Sequence, residues 1–333
     1  MASLLQRKLV VVTGKGGVGK TTVSAALGLL GARAGRRTVL VELGEQQRLP
    51  ALFGHPAGGT PGVEVELEPG LWSTSISPYD ALLEWVETQV GGRVPARLLG
   101  SSNAFQYLVA AAPGAREVVT MAKVWELAQS QRWRRRTAGY DLVVVDAPST
   151  GHALGMLRAP RTFAAIARVG PIATQAERVR EFLEDPGHSG YLGVAQATEM
   201  AVAETLELED RLRHQLGRRL QAVVVNGMLP RRFSAAELTA LAAAEDASTG
   251  EGAVHPGASG DSPPRGPEQD GRLVHAAARA ARAVHLRASA QRSQVARLRR
   301  HQFDVASVPF MFMADLDLAA VRAIADTLAA KLP

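Results

Sequence analysis

Two lysines sit in a glycine-rich run near the N-terminus, Gly14-Lys15-Gly16-Gly17-Val18-Gly19-Lys20-Thr21. The spacing from Gly14 through Gly19-Lys20-Thr21 is that of a loop wrapped around nucleotide phosphates. Gly14, Gly16, Gly17 and Gly19 let successive backbone N–H groups turn inward, with Val18 between them, and inward-facing amides attract anions. An apolar strand precedes the run and an Ala/Leu helix follows, so the helix N-terminus adds its positive end. Lys20 is expected to reach the β- and γ-phosphates of ATP and the Thr21 hydroxyl to bind Mg²⁺. Thr22 is expected to assist at the α-phosphate.

Other polar residues end apolar runs. Tyr140-Asp141 leads into Leu142-Val143-Val144-Val145-Asp146. A carboxylate at that place suits holding Mg²⁺ through its water. Asn226 closes Val223-Val224-Val225-Asn226; its amide offers the donor and acceptor that adenine recognition needs, and it equally suits an ordinary turn. The run Val39-Leu40-Val41 passes into Glu42-Leu43-Gly44-Glu45-Gln46-Gln47. Glu42 there suits a plain strand-end carboxylate.

The run Lys15 to Thr22 resembles the deviant Walker A motif of partition and septum-site ATPases, nitrogenase iron protein and the arsenite-pump and tail-anchored-protein-targeting ATPases. Asp146-Ala147-Pro148-Ser149-Thr150-Gly151-His152 is similar to the switch II sequence of the last group, with Asp146, Gly151 and His152 at matching spacing. The resemblance runs from Lys8 to about Leu332. It implies an ATP-hydrolysing homodimer that sandwiches two nucleotides, Lys15 reaching across to the partner's phosphates. It also implies Asn226 on the adenine edge, Pro309-Phe310 closing over the base, and a client protein, such as a hydrophobic or membrane-protein segment. Members of that group carry an Asp after the second strand to activate water; counting back from Leu52-Phe53 puts Gly44 there. Turnover is then slow or absent, the alternative being a nucleotide-binding scaffold, unless Glu42 or Glu45 substitutes, since a longer carboxylate can orient water.

Positioning these residues takes a sheet. Leu9–Thr13, Thr38–Leu43, Leu142–Asp146, Ala222–Asn226 and Val305–Pro309 are continuous apolar runs, predicting parallel strands buried on both faces, with Leu71–Ile76 a sixth. Helical patterns at Thr21–Ala34, Asp80–Val90, Ala115–Arg134, Ala195–Leu216 and Leu318–Leu332 alternate with them. The fold class is therefore α/β, a doubly wound, mostly parallel sheet flanked by helices, and residues 1–333 read as one P-loop ATPase domain. Residues 77–136 form a helical insertion. Phe105–Val109, Val118–Met121 and Val124–Leu127 are its apolar stretches, assigned to core packing rather than to a client groove. Residues 245–271 are rich in Gly, Pro, Ser, Asp and Glu and predict a disordered loop, after which a helix runs from Leu273 to about Arg300.

Composition removes several classes. The 333 residues contain no Cys, which excludes disulfides, thiolate zinc sites and iron–sulfur clusters, and with them a thiol site for arsenite. The net charge of +6 rests on arginine runs such as Arg134-Arg135-Arg136 and Arg297, Arg299 and Arg300. Solvated helix faces absorb such runs, so nucleic acid is not expected as a partner, and a partition-type ATPase on DNA or membrane is the alternative. No stretch reaches the ~20 apolar residues of a membrane span, and the eight residues before the first strand are too short for a signal peptide. A cytoplasmic location is expected.

Overall fold

A computed structural model describes residues 2–44, 47–56, 59–89, 114–133, 139–166, 170–250, 267–313 and 315–331. The strands among them are β1 (Leu9–Gly14), β2 (Thr38–Leu43), β3 (Val65–Glu68), β4 (Leu71–Ile76), β5 (Leu142–Ser149), β6 (Ser189–Gln196), β7 (Ala222–Met228) and β8 (Asp304–Pro309). They form one sheet in the order β3-β4-β2-β5-β1-β6-β7-β8. Every pairing is parallel except β3 with β4. This is the expected α/β architecture.

The helices among the described residues are α1 (Ala2–Leu5), α2 (Lys20–Arg33), α3 (Leu49–Leu52), α4 (Pro78–Gln89), α5 (Ala115–Leu127), α6 (Thr150–Ile166), α7 (Pro171–Glu184), α8 (Glu199–Leu216), α9 (Ala235–Gly250), α10 (Pro267–Leu298) and α11 (Leu318–Lys331). Side chains alternate across a strand, so consecutive β1 residues feed opposite cores. Leu9 and Val11 pack with α5, α6, α7 and α8 through Met121, Leu157, Leu183 and Leu212. Val10 and Val12 pack with α2 and α11 through Leu27 and Ile324. The continuous apolar strands thus do bury both faces.

Three expectations change. Ala195–Leu216 is not one helix: β6 occupies Ser189–Gln196, and Thr198, whose hydroxyl accepts the Ala201 N–H at 3.3 Å, caps α8 instead. β6 itself went unread because Gly190 and Gly193 interrupt its apolar run, although it lies directly beside β1. The helix from Ala115 stops at Leu127 rather than Arg134, because the buried Glu126 carboxylate draws the chain back: it accepts the Trp133 N–H at 2.9 Å and pairs with Arg132. Helix also covers both flanks of the predicted loop, up to Gly250 and from Pro267; residues 251–266 lie outside the described ones.

Phe105–Val109 and Arg134–Arg136 also lie outside them, as does Glu45. Val118, Met121, Val124 and Leu127 of α5 are buried. Val118 meets Ala159 of α6 and Ala176 of α7, so α5 is packed against the helix that begins right after the β5 carboxylate segment. No helix among the described residues is long and apolar enough to cross a membrane.

Candidate functional site

The site lies at the C-terminal end of β1, between β5 and β6. Strand β2 lies on one side and β6 to β8 on the other, a place where open α/β sheets leave a crevice. The turn out of β1 passes so close to β6 that a Cβ on Gly14 would sit 2.1 Å from the Val194 carbonyl oxygen, at φ +151°. Only glycine fits there. Beyond it, Cβ positions on Gly16 and Gly17 would meet open space, which is the room a bound group needs. Val18 is buried and anchors the loop, and Thr22 is buried behind Thr21 in the first turn of α2.

Lys20 folds back over the loop. Its ammonium donates to the Gly14 carbonyl at 3.1 Å and the Lys15 carbonyl at 2.9 Å. Burial pushes its pKa below the usual lysine value, against the opposing pull of Asp146. Asp146 accepts the Thr21 hydroxyl at 2.6 Å and the Ser24 hydroxyl at 3.2 Å. Burial raises its pKa, opposed by those two hydrogen bonds and by Lys20 and Arg48. A hydroxyl and a carboxylate that close together are hard oxygen donors of the kind Mg²⁺ takes beside phosphate and water ligands. Ser24 was not foreseen. It follows Thr21 by three residues on a helix, a spacing that would have placed both on one face.

Lys15 points the other way. Its ammonium pairs with Glu204 of α8 at 2.8 Å and lies 2.8 Å from the Met200 sulfur. Both side chains of the pair are 37% exposed. They border a cleft of about 330 Å³ shared with Gly16, Ser149, Thr150 and Arg211. His152 is exposed in the first turn of α6.

On the other side of the loop is Asn226. Its Nδ2 donates to the Val18 carbonyl at 2.9 Å and fills the space where a Gly19 Cβ would be, 2.2 Å away. One of its two N–H donors is thus committed to the loop, and the other, with Oδ1, remains for the pocket. It opens onto a largely apolar cavity of about 780 Å³, walled by Gly227, Arg232, Val284, Gln291 and Phe310 among others. Pro309 ends β8 opposite Met228, and the Phe310 N–H bonds the Met228 carbonyl at 2.9 Å. Phe310 stacks edge-on with Phe312, and Arg232 lies over the Phe312 ring.

Glu42 is paired in register with Asp146 and is buried. Its carboxylate accepts the N–H of Arg48 at 2.8 and 3.0 Å and that of Leu49 at 3.1 Å, capping the turn into α3. Burial raises its pKa, partly offset by those N–H groups. The geometry is that of a cap, with both oxygens engaged. Gly44 holds φ at +122°, a region that residues with a Cβ rarely enter. The structure thus brings together the loop residues, Asp146 and Asn226, and sets Phe310 at the far wall of the cavity.

Comparison with known proteins fits this geometry. The sequence model described as anion-transporting ATPase matches residues 7–169. The ATPase BagA of Mycobacterium tuberculosis is 30% identical over 246 residues, covering 72% of this chain and 70% of that protein. The ATPase ARSA1 of Chlamydomonas reinhardtii is 27% identical over 239 residues, 64% of this chain and 30% of that one. The ATPase ASNA1 homolog 2 of Paramecium tetraurelia is 27% identical over 161 residues, 46% of this chain and 44% of its own length.

Proposed function

The chain belongs to the anion-transporting ATPase family and is an ATPase, and from that premise we propose that ATP lies across the β1 loop, phosphates on one side and adenine on the other. One observation carries the reading: the same loop is gripped by the β5 carboxylate through Thr21 and by the β7 amide through Val18. The amides of Gly14 to Lys20 would cradle the phosphates. Lys20 would leave the loop carbonyls for the β- and γ-phosphates, where its charge is of most use. Thr21 and Asp146 would hold Mg²⁺, whose chemistry there is to neutralise charge on the phosphate oxygens. Asn226 would accept from the base, and Phe310 would cover it. Calorimetry with Mg-ATP tests the assignment: the wild type binds, Lys20→Ala and Asp146→Asn do not, and equal binding by all three rules it out.

The water-orienting role falls to Glu45. Glu42 is committed to its cap, and the segment has no other carboxylate. We expect slow turnover, lowered further in Glu45→Gln by a share of the ~10²–10⁴-fold that a positioned base contributes. Phosphate release unchanged in Glu45→Gln removes that role.

The active unit would be a homodimer in which Lys15 leaves Glu204 for the partner's nucleotide. Its nucleotide state would reach a client protein, a hydrophobic or membrane segment among the candidates, along α6 into α5. The contact of Val118 with Ala159 supports that route. Light scattering with and without ATP tests the dimer, and co-purification with ATP trapped in it identifies the client.

A partition-type reading has one observation behind it. Residues 271–303 hold eight arginines and no acid, leaving 30 basic and 32 acidic side chains in the rest of the chain. A segment of that charge, most of α10 and the residues just after it, would attract DNA, and a gel shift that weakens steeply with salt would favour this alternative.

A further inference from the structure

Strand β7 does not end cleanly. Its register with β8 slips between Val225 and Met228, and Gly227 turns to φ +74°. A slip of that kind takes backbone groups out of the ladder, and buried ones need partners from elsewhere. Gln291, on the face of α10 turned toward this bend, supplies both. Its Oε1 accepts the Leu229 N–H at 2.8 Å, and its Nε2 donates to the Gly227 carbonyl at 3.1 Å. Each end of the amide is thereby matched to a group of the opposite kind.

What hangs on that turn is the base cavity. Asn226 immediately precedes the turn, and the Met228 carbonyl within it holds the Phe310 N–H. Gln291 also lines the cavity, beside Val284 of the same helix. One side chain therefore ties the cavity wall to the strand end that carries its polar residue. The orientation of that residue matters. The Val18 carbonyl can only accept, so the Asn226 amide must present nitrogen to the loop, which leaves Oδ1 and the second N–H for a base. That pair matches the exocyclic amino group and adjacent ring nitrogen of a 6-aminopurine, whereas Oδ1 opposes the carbonyl of a 6-oxopurine.

We propose that Gln291 is a positioning residue for base selection, holding the Gly227–Leu229 turn so that Asn226 favours ATP over GTP. The inference rests on Asn226 being the base reader. Dissociation constants of ATP, GTP and inorganic tripolyphosphate for the full chain and its variants test it. In Gln291→Leu, both backbone groups lose their partner; ATP affinity is expected to fall about tenfold while tripolyphosphate, which has no base, binds as before. The preference for ATP over GTP should shrink accordingly. Gln291→Glu keeps an acceptor for Leu229 but sets an acceptor against Gly227, and should fall between the wild type and the Leu variant; it serves also if the Leu variant does not fold.

An unchanged ATP-to-GTP ratio in both variants overturns the proposal, as does an equal loss of ATP and tripolyphosphate, which would mean general loosening. Asn226→Ala separates the two claims. If it abolishes the ratio while the Gln291 variants do not, Gln291 alone is misassigned. If the wild type shows no preference, or Asn226→Ala retains it, the base-site reading falls as well.

Discussion

Replacing Glu204 by Gln should promote ATP-dependent dimerisation. In the single chain, Lys15 is held by Glu204 at 2.8 Å, with both side chains 37% exposed. A lysine that crosses to a partner's phosphates must first abandon that contact. Pairs this exposed are worth about 0.2–1 kcal/mol. The contact is broken once in each subunit, so the dimer gives up roughly 0.4–2 kcal/mol, or about 2- to 30-fold in the association constant. Gln keeps the size of the side chain and removes its charge, so that penalty should vanish. Sedimentation equilibrium with ATP, over a salt series, measures it. In the wild type, salt also screens the intrachain pair, a contribution that Glu204→Gln lacks, so the gap between the two proteins should narrow as salt rises. Association unchanged or weakened in Glu204→Gln at low salt would refute the reasoning. Weakening would mean that Glu204 belongs to the dimer contact itself.

Three further outcomes follow from the site. Lys20→Ala should abolish measurable Mg-ATP binding, since a half-buried cation within the loop is lost; calorimetry decides, and near-normal affinity would remove Lys20 from the phosphate site. Asp146→Asn should raise the melting temperature of the nucleotide-free protein while eliminating Mg-ATP binding. Burial raises the Asp146 pKa, so its neutral form suits the fold: its contribution is stabilising below the unfolded pKa and is lost as pH rises through the higher folded one. Nucleotide affinity runs the opposite way, weakening on acidification already above the usual carboxylate range, and a pH-independent melting difference between the two proteins would contradict this. Glu42→Gln should destabilise the fold by about 1–2 kcal/mol, since the amide NH₂ sets a donor against backbone N–H groups of Arg48 and Leu49 that both carboxylate oxygens accept from. Urea unfolding measures it, and an unchanged midpoint would show that the cap is dispensable.

What could be read from the chain was local. The loop from Gly14 to Thr21 declares itself because its chemistry needs glycines, a lysine and a hydroxyl at fixed offsets within one turn. Asp146 was legible because a buried parallel strand is a continuous apolar run and a carboxylate at its end stands out. Five strands and the α/β class came from the same signal. It failed at β6, where glycines thin the run, and at the C-terminal end of α5, where the reversal is made by Glu126 bonding backward to Trp133. It could not say whether Glu42 orients water or holds a turn, because a carboxylate has the same sequence signature in either role. In the structure its carboxylate accepts the N–H groups of Arg48 and Leu49, a contact that no sequence pattern announces.

By itself the sequence determined the glycine–lysine turn after β1, the α/β class and the absence of thiols, because each depends on residue type at short spacing. Only the tertiary structure decided which groups meet. Asn226 gives a donor to Val18 from 208 residues away, Lys15 finds Glu204 at a separation of 189, and Gln291 closes the β7 turn from 62 residues downstream. Those partners are set by the order of strands in the sheet and by which helix each strand end faces, and no periodicity along the chain encodes them.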